Sequence, residues 1–289
     1  MGGSFDFRQY CNTTIDHYAS GVRVSHNEAP KLRARYSSRD QSPWAGRAAI
    51  GLGWGYFQGN IGDNQPHQHH AMQIVVARNT LHIWFDDAGW REFCGVIIGP
   101  GVLHQLSDAD EAMRMLYLGP ESDQARRISS RMRNGWQELS RAESSELWER
   151  FEHSNLHDLK LAAADLLCLG TNGSGELPSD ALMQRLLHEL PHPLPDRMTV
   201  RQLAQRVHLS PSRFQHRFVR HTGMAVRPYL RWLRLLTALT ALARKASLTQ
   251  AAVEAGFADA AHFSRTFRRH FGFAPRHLLR MLLIDGEPE

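Results

Sequence analysis

A chain of 289 residues, 42% hydrophobic and 22% charged, has an ordinary globular composition that excludes wholesale disorder and a coiled-coil rod, and at ~100–200 residues per domain it should divide in two. No apolar run approaches the ~18 residues of a membrane span and the N-terminus lacks a basic-then-apolar signal, so a soluble, cytoplasmic protein is expected. The net charge of +5 is unevenly held: residues 179–289 carry 17 Lys and Arg against 8 Asp and Glu, and residues 1–178 carry 17 against 21, which suits a polyanion-binding module joined to something else.

The early part of the chain reads as strands. Ala48–Leu52, Gln73–Ala77, Thr80–Phe85, Cys94–Ile98 and Met113–Leu118 are short, apolar or alternating, and punctuated by Gly, Asn, Asp and Pro. They predict an antiparallel barrel or sandwich. Gln124–Trp136, Ser144–Phe151 and Leu156–Leu169 have helical apolar spacing, with Leu156, Leu159, Ala163, Leu166 and Leu167 on one stripe. A Gly/Ser/Asn-rich stretch at 170–178 coincides with the charge boundary and reads as a linker. The predicted organisation is therefore α+β and multidomain, with a strand-rich domain and its helices over 1–169, a linker over 170–178 and an all-α domain over 179–289. Cys11, Cys94 and Cys168 are far apart and form no CxxC pair, which argues against a disulfide framework or a thiolate zinc site.

The helical domain repeats itself. SRFQHRFVRHTG returns as AHFSRTFRRHFG, so that Phe214, Phe218 and Gly223 recur 49 residues later as Phe263, Phe267 and Gly272. In the first unit, about 199–221, Thr199 should cap a helix through Val207, and Ser210 with Pro211 at the first position should open a second. In the second unit, about 247–271, Ser247 and Asp259 play the same parts and Gly256 permits the turn. Phe214, Phe218, Phe263, Phe267 and Phe271 should face the core. That leaves Ser212, Arg213, Gln215, His216 and Arg220 outside on one helix, and His262, Ser264, Arg265, Arg268 and Arg269 on the other, suited to base edges and phosphates. A helix over Val226–Arg244, 19 residues, would span roughly 28 Å between the units, close to the ~34 Å separating successive major-groove segments on one DNA face.

The strings LSPSRFQHRF, PYLRWLRL and AGFADAAHFSRTFRRHFGFAPR, within about Leu182 to Leu283, resemble the DNA-binding domain of the AraC/XylS family of transcription regulators. The resemblance covers the last third of the chain. It implies base reading through Ser212, Gln215 and His216 on the first recognition helix, and through Ala260, Ala261, Ser264 and Arg265 on the second. Alanines at 260 and 261 stand where the family often has polar residues, which makes the second helix more a phosphate anchor. Arg217 stands where an apolar residue is usual.

The other informative stretch is QPHQHHAMQ, residues 65–73, with PGVLH at 100–104. If the first lies on a strand, His67, His69 and Gln73 share a face with His70 opposite, and His104 closes in from a later strand. Three imidazoles and an amide could ligate Zn, Fe, Mn, Ni or Cu, or could line a pocket for an organic or anionic effector. Trp44, Trp54, Trp84 and Trp90 could add aromatic walls. Over about Ala48–Leu118 the chain is similar to a cupin barrel, a common sensor module of AraC/XylS regulators, with Gln73 in the place of the usual glutamate and therefore without its charge. The resemblances together imply a regulator, more in keeping with an activator, that binds promoter DNA as a homodimer, responds to a small molecule or metal and engages RNA polymerase. The competing readings are a metal-dependent cupin enzyme with a helical appendage, and a basic adaptor for an acidic protein.

Overall fold

The computed structural model describes residues 44–282 apart from 52, 63, 108–111, 154–179, 191–193 and 196–197. Its first half is a seven-stranded antiparallel sheet built from β1 (Ala45–Gly51), β2 (Trp54–Asn60), β3 (Met72–Phe85), β4 (Gly89–Ile98), β5 (His104–Leu106), β6 (Met113–Leu118) and β7 (Trp136–Glu138). The order is β1-β2-β6-β3-β4-β7, with β5 on β3. The path does not close on itself among the described residues, so an open sheet stands where a barrel was expected.

Two expected strands, Gln73–Ala77 and Thr80–Phe85, are one strand with a register shift between Val76 and Leu81. The shift lets β3 change partners: residues 72–77 pair with β6 and 83–85 with β5, while both halves lie along β4. The strand over Trp54–Asn60 was not anticipated, because Gly55 and Gly59 interrupt its apolar pattern. The helix expected over Gln124–Trp136 stops early. It runs over Asp123–Ser129 (α1), and Trp136 instead opens β7, its ring stacked 4.7 Å from Phe85. Ser144–Phe151 lies within α2 (Arg141–His153), whereas Leu156–Leu169, the linker at 170–178, Cys11 and Cys168 fall outside the described residues.

Alternation along the strands divides the sheet's two faces. Met72, Ile74, Val76, Ile97, Leu116 and Leu118 are buried against α1 and α2, with Ile128, Leu147 and Phe151. Arg114 lies on this face, 3% exposed, with its guanidinium 4.0 Å from the Trp148 ring and 3.3 Å from Glu152. Val75, Ile98, Met115 and Gln73 point to the other face. There the core continues without a break into the helices of the second half.

Those helices are α3 (Ala181–His188), α4 (Val200–Arg206), α5 (Pro211–Thr222), α6 (Val226–Ala243), α7 (Leu248–Glu254), α8 (Ala260–Phe271) and α9 (Pro275–Leu279). Local chemistry sets their ends as expected. Thr199 with Gln202, and Ser247 with Gln250, form capping boxes on α4 and α7. Ser210 and Asp259 cap α5 and α8. Gly223 and Gly272 end those two helices in left-handed conformation. Phe214, Phe218, Phe263 and Phe267 are buried as expected, whereas Phe271 is half-buried at the sheet. No helix among the described residues is long and apolar enough to cross a membrane.

Candidate nucleic-acid interface and histidine cluster

The helix pairs α4–α5 and α7–α8 present similar outer faces. On α5, Ser212, Arg213, Gln215, His216 and Arg220 are all exposed, and most of them line an open depression with Leu209 and Arg217. On α8, Ala261, His262, Arg265, Arg268 and Arg269 are exposed, while Ala260 and Ser264 are half-buried. Arg213, Arg220, Arg265, Arg268 and Arg269 form no ion pair among the described residues, so their charge is available to a polyanion. Arg217 is explained by its partner. It grips Asp180, the N-cap of α3, through two hydrogen bonds, one of 2.8 Å. The unusual arginine thus fastens α3 to the first pair.

The structure brings His67, His69, His104 and Gln73 together on the inner face of the sheet, all buried, with one ligating atom of each imidazole within 4.8 Å of the others. The expected strand alternation is not the reason, since 67–71 is not a regular strand. His67 instead pairs with His104 through two backbone hydrogen bonds of 2.9 and 3.0 Å. His70 turns the other way, its ring 5.5 Å from His270 of α8 and 6.1 Å from Trp232 of α6.

Each Nδ1 in the cluster meets a backbone carbonyl: His67 that of Gln65 at 2.9 Å, His69 that of Ala71 at 2.8 Å, and His104 that of Val102 at 2.9 Å. Those carbonyls only accept, so Nδ1 carries the proton and Nε2 keeps its lone pair. The Nε2 atoms of His69 and His104 stand 2.9 and 3.0 Å from Gln73 Oε1. Acceptor then faces acceptor. A cation among them satisfies every lone pair, with the Nδ1–H···O=C bonds fixing ring orientation. Alternatively the Gln73 amide is turned so that its NH2 donates to both imidazoles and its oxygen accepts from Tyr117, 3.1 Å away. Burial lowers the pKa of His67 to about 3 and drives those of His69 and His104 down as well. The imidazoles are neutral at ordinary pH, as ligands must be.

Comparisons with known proteins separate the two halves. Residues 203–281 match the model of the helix-turn-helix domain family. The transcriptional activators RhaS of Escherichia fergusonii and Salmonella arizonae are 34% and 31% identical over 105 residues, 36% of this chain and 38% of each of theirs. The C-terminal half thus contains a helix-turn-helix domain, as its residue pattern predicts. The chain spans little over a third of the length of these relatives.

Outside the helix-turn-helix domain the likeness is one of fold. ToxT of Vibrio cholerae superposes with a TM-score of 0.53 at 11% identity, over 82% of this chain and 100% of ToxT. ToxT with an unsaturated fatty acid bound gives 0.52, also at 11% identity, over 83% of this chain and 99% of ToxT. An antiparallel sheet followed by a helical C-terminal domain is common to both.

Trp44 and Trp54 line a cleft between the sheet and α6 and α8, whereas Trp84 and Trp90, paired across β3 and β4, do not. The cleft had no signal in the sequence, because its lining comes from segments more than 200 residues apart.

Proposed function

We propose that this protein is a cytoplasmic, sequence-specific regulator of transcription, in the manner of an activator, that holds promoter DNA with two helix-turn-helix units, α4–α5 and α7–α8, and is controlled by a ligand bound in its sheet domain. The observation that carries the reading is the pair of exposed basic faces on α5 and α8, whose arginines form no ion pair among the described residues and which are of the kind that can lie in a major groove. The RhaS relatives are transcriptional activators, which favours this reading over a metal-dependent enzyme. Dimerisation and contact with RNA polymerase follow from the same family habit.

A mobility-shift titration against genomic fragments tests the reading. Tight binding to a few fragments, lost on Arg213→Ala with Arg265→Ala, is expected. Low, sequence-independent affinity unchanged by that double substitution overturns it.

The acceptors facing one another around Gln73 favour a divalent ion (Zn, Fe, Mn, Ni or Cu) held by His67, His69, His104 and Gln73. Such an ion would supply a fixed charge that tightens the loop around His67 onto the sheet. Zinc added to chelator-treated protein should raise the melting temperature, and His104→Gln should abolish the rise. No rise in the unsubstituted protein would assign the turned-amide arrangement instead.

A further inference from the structure

The duplication sets corresponding side chains 49 residues apart, so the outer faces of α5 and α8 can be matched position by position. Ser212, Gln215 and His216 on α5 correspond to Ala261, Ser264 and Arg265 on α8. The entry to α8 is apolar on its outer side. Ala258 and Ala261 are exposed, Phe257 and Ala260 are half-buried, and none of these four side chains has a donor or an acceptor. Asp259, among them, is turned back on the helix, where its carboxylate accepts the His262 N–H at 2.6 Å. The His262 ring stands perpendicular to that of Phe257, with centroids 5.3 Å apart. One helical turn beyond Ala261 lies Arg265, and a turn further Arg268 and Arg269, all exposed and in no ion pair among the described residues. The stripe thus begins on a methyl group and ends on guanidinium cations.

We propose that Ala261 is a specificity-determining residue, and that the second helix-turn-helix unit selects a thymine by seating its C5-methyl group against the Ala261 methyl in the major groove. The inference rests on the regulator reading and specifies what its second unit recognises. The arginines further along α8 attract the polyanion and hold the helix in the groove, which brings the alanine to base-edge depth. Thymine alone among the four bases presents an apolar group in the major groove. Adenine, guanine and cytosine offer N7, O6 or amino groups, which would lose water against an alanine and gain no bond. The alanine therefore favours thymine through buried methyl area and disfavours the other bases through unpaired polar groups. Ser212, at the matching place on α5, can donate or accept and has no such preference.

Deoxyuridine lacks only the C5-methyl of thymidine, so it isolates the contact. Binding sites are selected from random DNA by the full chain, and the block that α8 reads is the one that Gln215→Ala spares. Each thymine of that block is then replaced in turn by deoxyuridine, with affinity read by mobility shift. Replacement at the position facing Ala261 should weaken binding about fourfold, the worth of one buried methyl group. At the same position 5-methylcytosine should bind about fourfold more tightly than cytosine, for the same reason. Ala261→Gly should bind the thymidine and deoxyuridine duplexes alike. Both duplexes meet the same protein, so any loss of helix stability caused by the glycine cancels in the ratio.

A block without thymine, deoxyuridine equal to thymidine throughout it, or a discrimination that survives Ala261→Gly overturns the proposal. In each of those cases specific binding is seen and the regulator reading stands. Failure of the regulator reading has a different signature, the absence of any enriched sequence, and would overturn this proposal with it.

Discussion

Both helix pairs end on a left-handed glycine, but an added Cβ at Gly223 would meet nothing within 4 Å, while at Gly272 it would fall 2.7 Å from both Gln65 O and His67 Nδ1. The second pair is docked where the first is free. Gln65 N–H donates to Gly272 O at 3.0 Å, Ala48 N–H donates to Met281 O at 2.6 Å, and Phe271, His270 and Trp232 pack on the sheet. Among the described residues the first pair has no backbone bond to the sheet, and α5 approaches α1 through His221 and Arg126, 3.5 Å apart. A duplicated unit thus sits in two settings: the first pair reaches the sheet domain through His221 and Arg126, and the second is bonded to it at Gly272 and Met281.

The sharpest way to break this comparison is to substitute the two glycines. Gly223→Ala should cost about 1–2 kcal/mol, the strain of a left-handed alanine. Gly272→Ala meets the same strain and must also push away the loop that carries His67, so a loss of about 3 kcal/mol or more is expected by chemical denaturation. Equal losses would show the docking contact to be slack.

Acid should loosen the same contact. Burial lowers the pKa of His67 and His70 to about 3 and that of His270 to about 4. In the unfolded chain these imidazoles protonate near pH 6.5, so the stability of the folded form is full above that pH. It is lost as pH falls from about 6.5 toward 3–4. Melting temperature should drop across that window and less steeply in His270→Gln; a flat profile from pH 7 to 4.5 contradicts the burial.

On DNA the two pairs should differ in kind. Gln215→Ala should change which sequences bind, at about 1–3 kcal/mol for the affected base pair. Arg268→Ala should weaken all sequences alike and reduce the slope of log affinity against log salt by about 1. The smallest effect concerns the turns. His208 holds a left-handed conformation at φ +53 where the second pair has Gly256 at φ +74. His208→Gly should therefore stabilise by a few tenths of a kcal/mol up to about 1, whereas Gly256→Ala should destabilise.

The helical half was legible because its signals are local. Thr199, Ser210, Ser247 and Asp259 each fix a helix start within three residues, and the phenylalanine spacing fixes which face is inward. The sheet was half legible. Glycines hid β2, Trp136 was read as helical when its place is set by Phe85 far away in sequence, and the shift after Val76 is a matter of pairing rather than propensity. The histidines were found by type and spacing, though they gather through a loop bridge and not through strand alternation. The loop's contact with Gly272 and the cleft beside it depend on how two distant segments pack, which no window of sequence encodes.

The most direct test of the central claim is selection of binding sites from random DNA by the full chain. Two helix-turn-helix units on one scaffold should enrich one strong sequence block and a weaker one about one helical turn, roughly 10 base pairs, away, and Gln215→Ala should blur the strong block and spare the weaker. No enriched sequence, or one substitution erasing both blocks together, would contradict the division of labour between the two helix pairs.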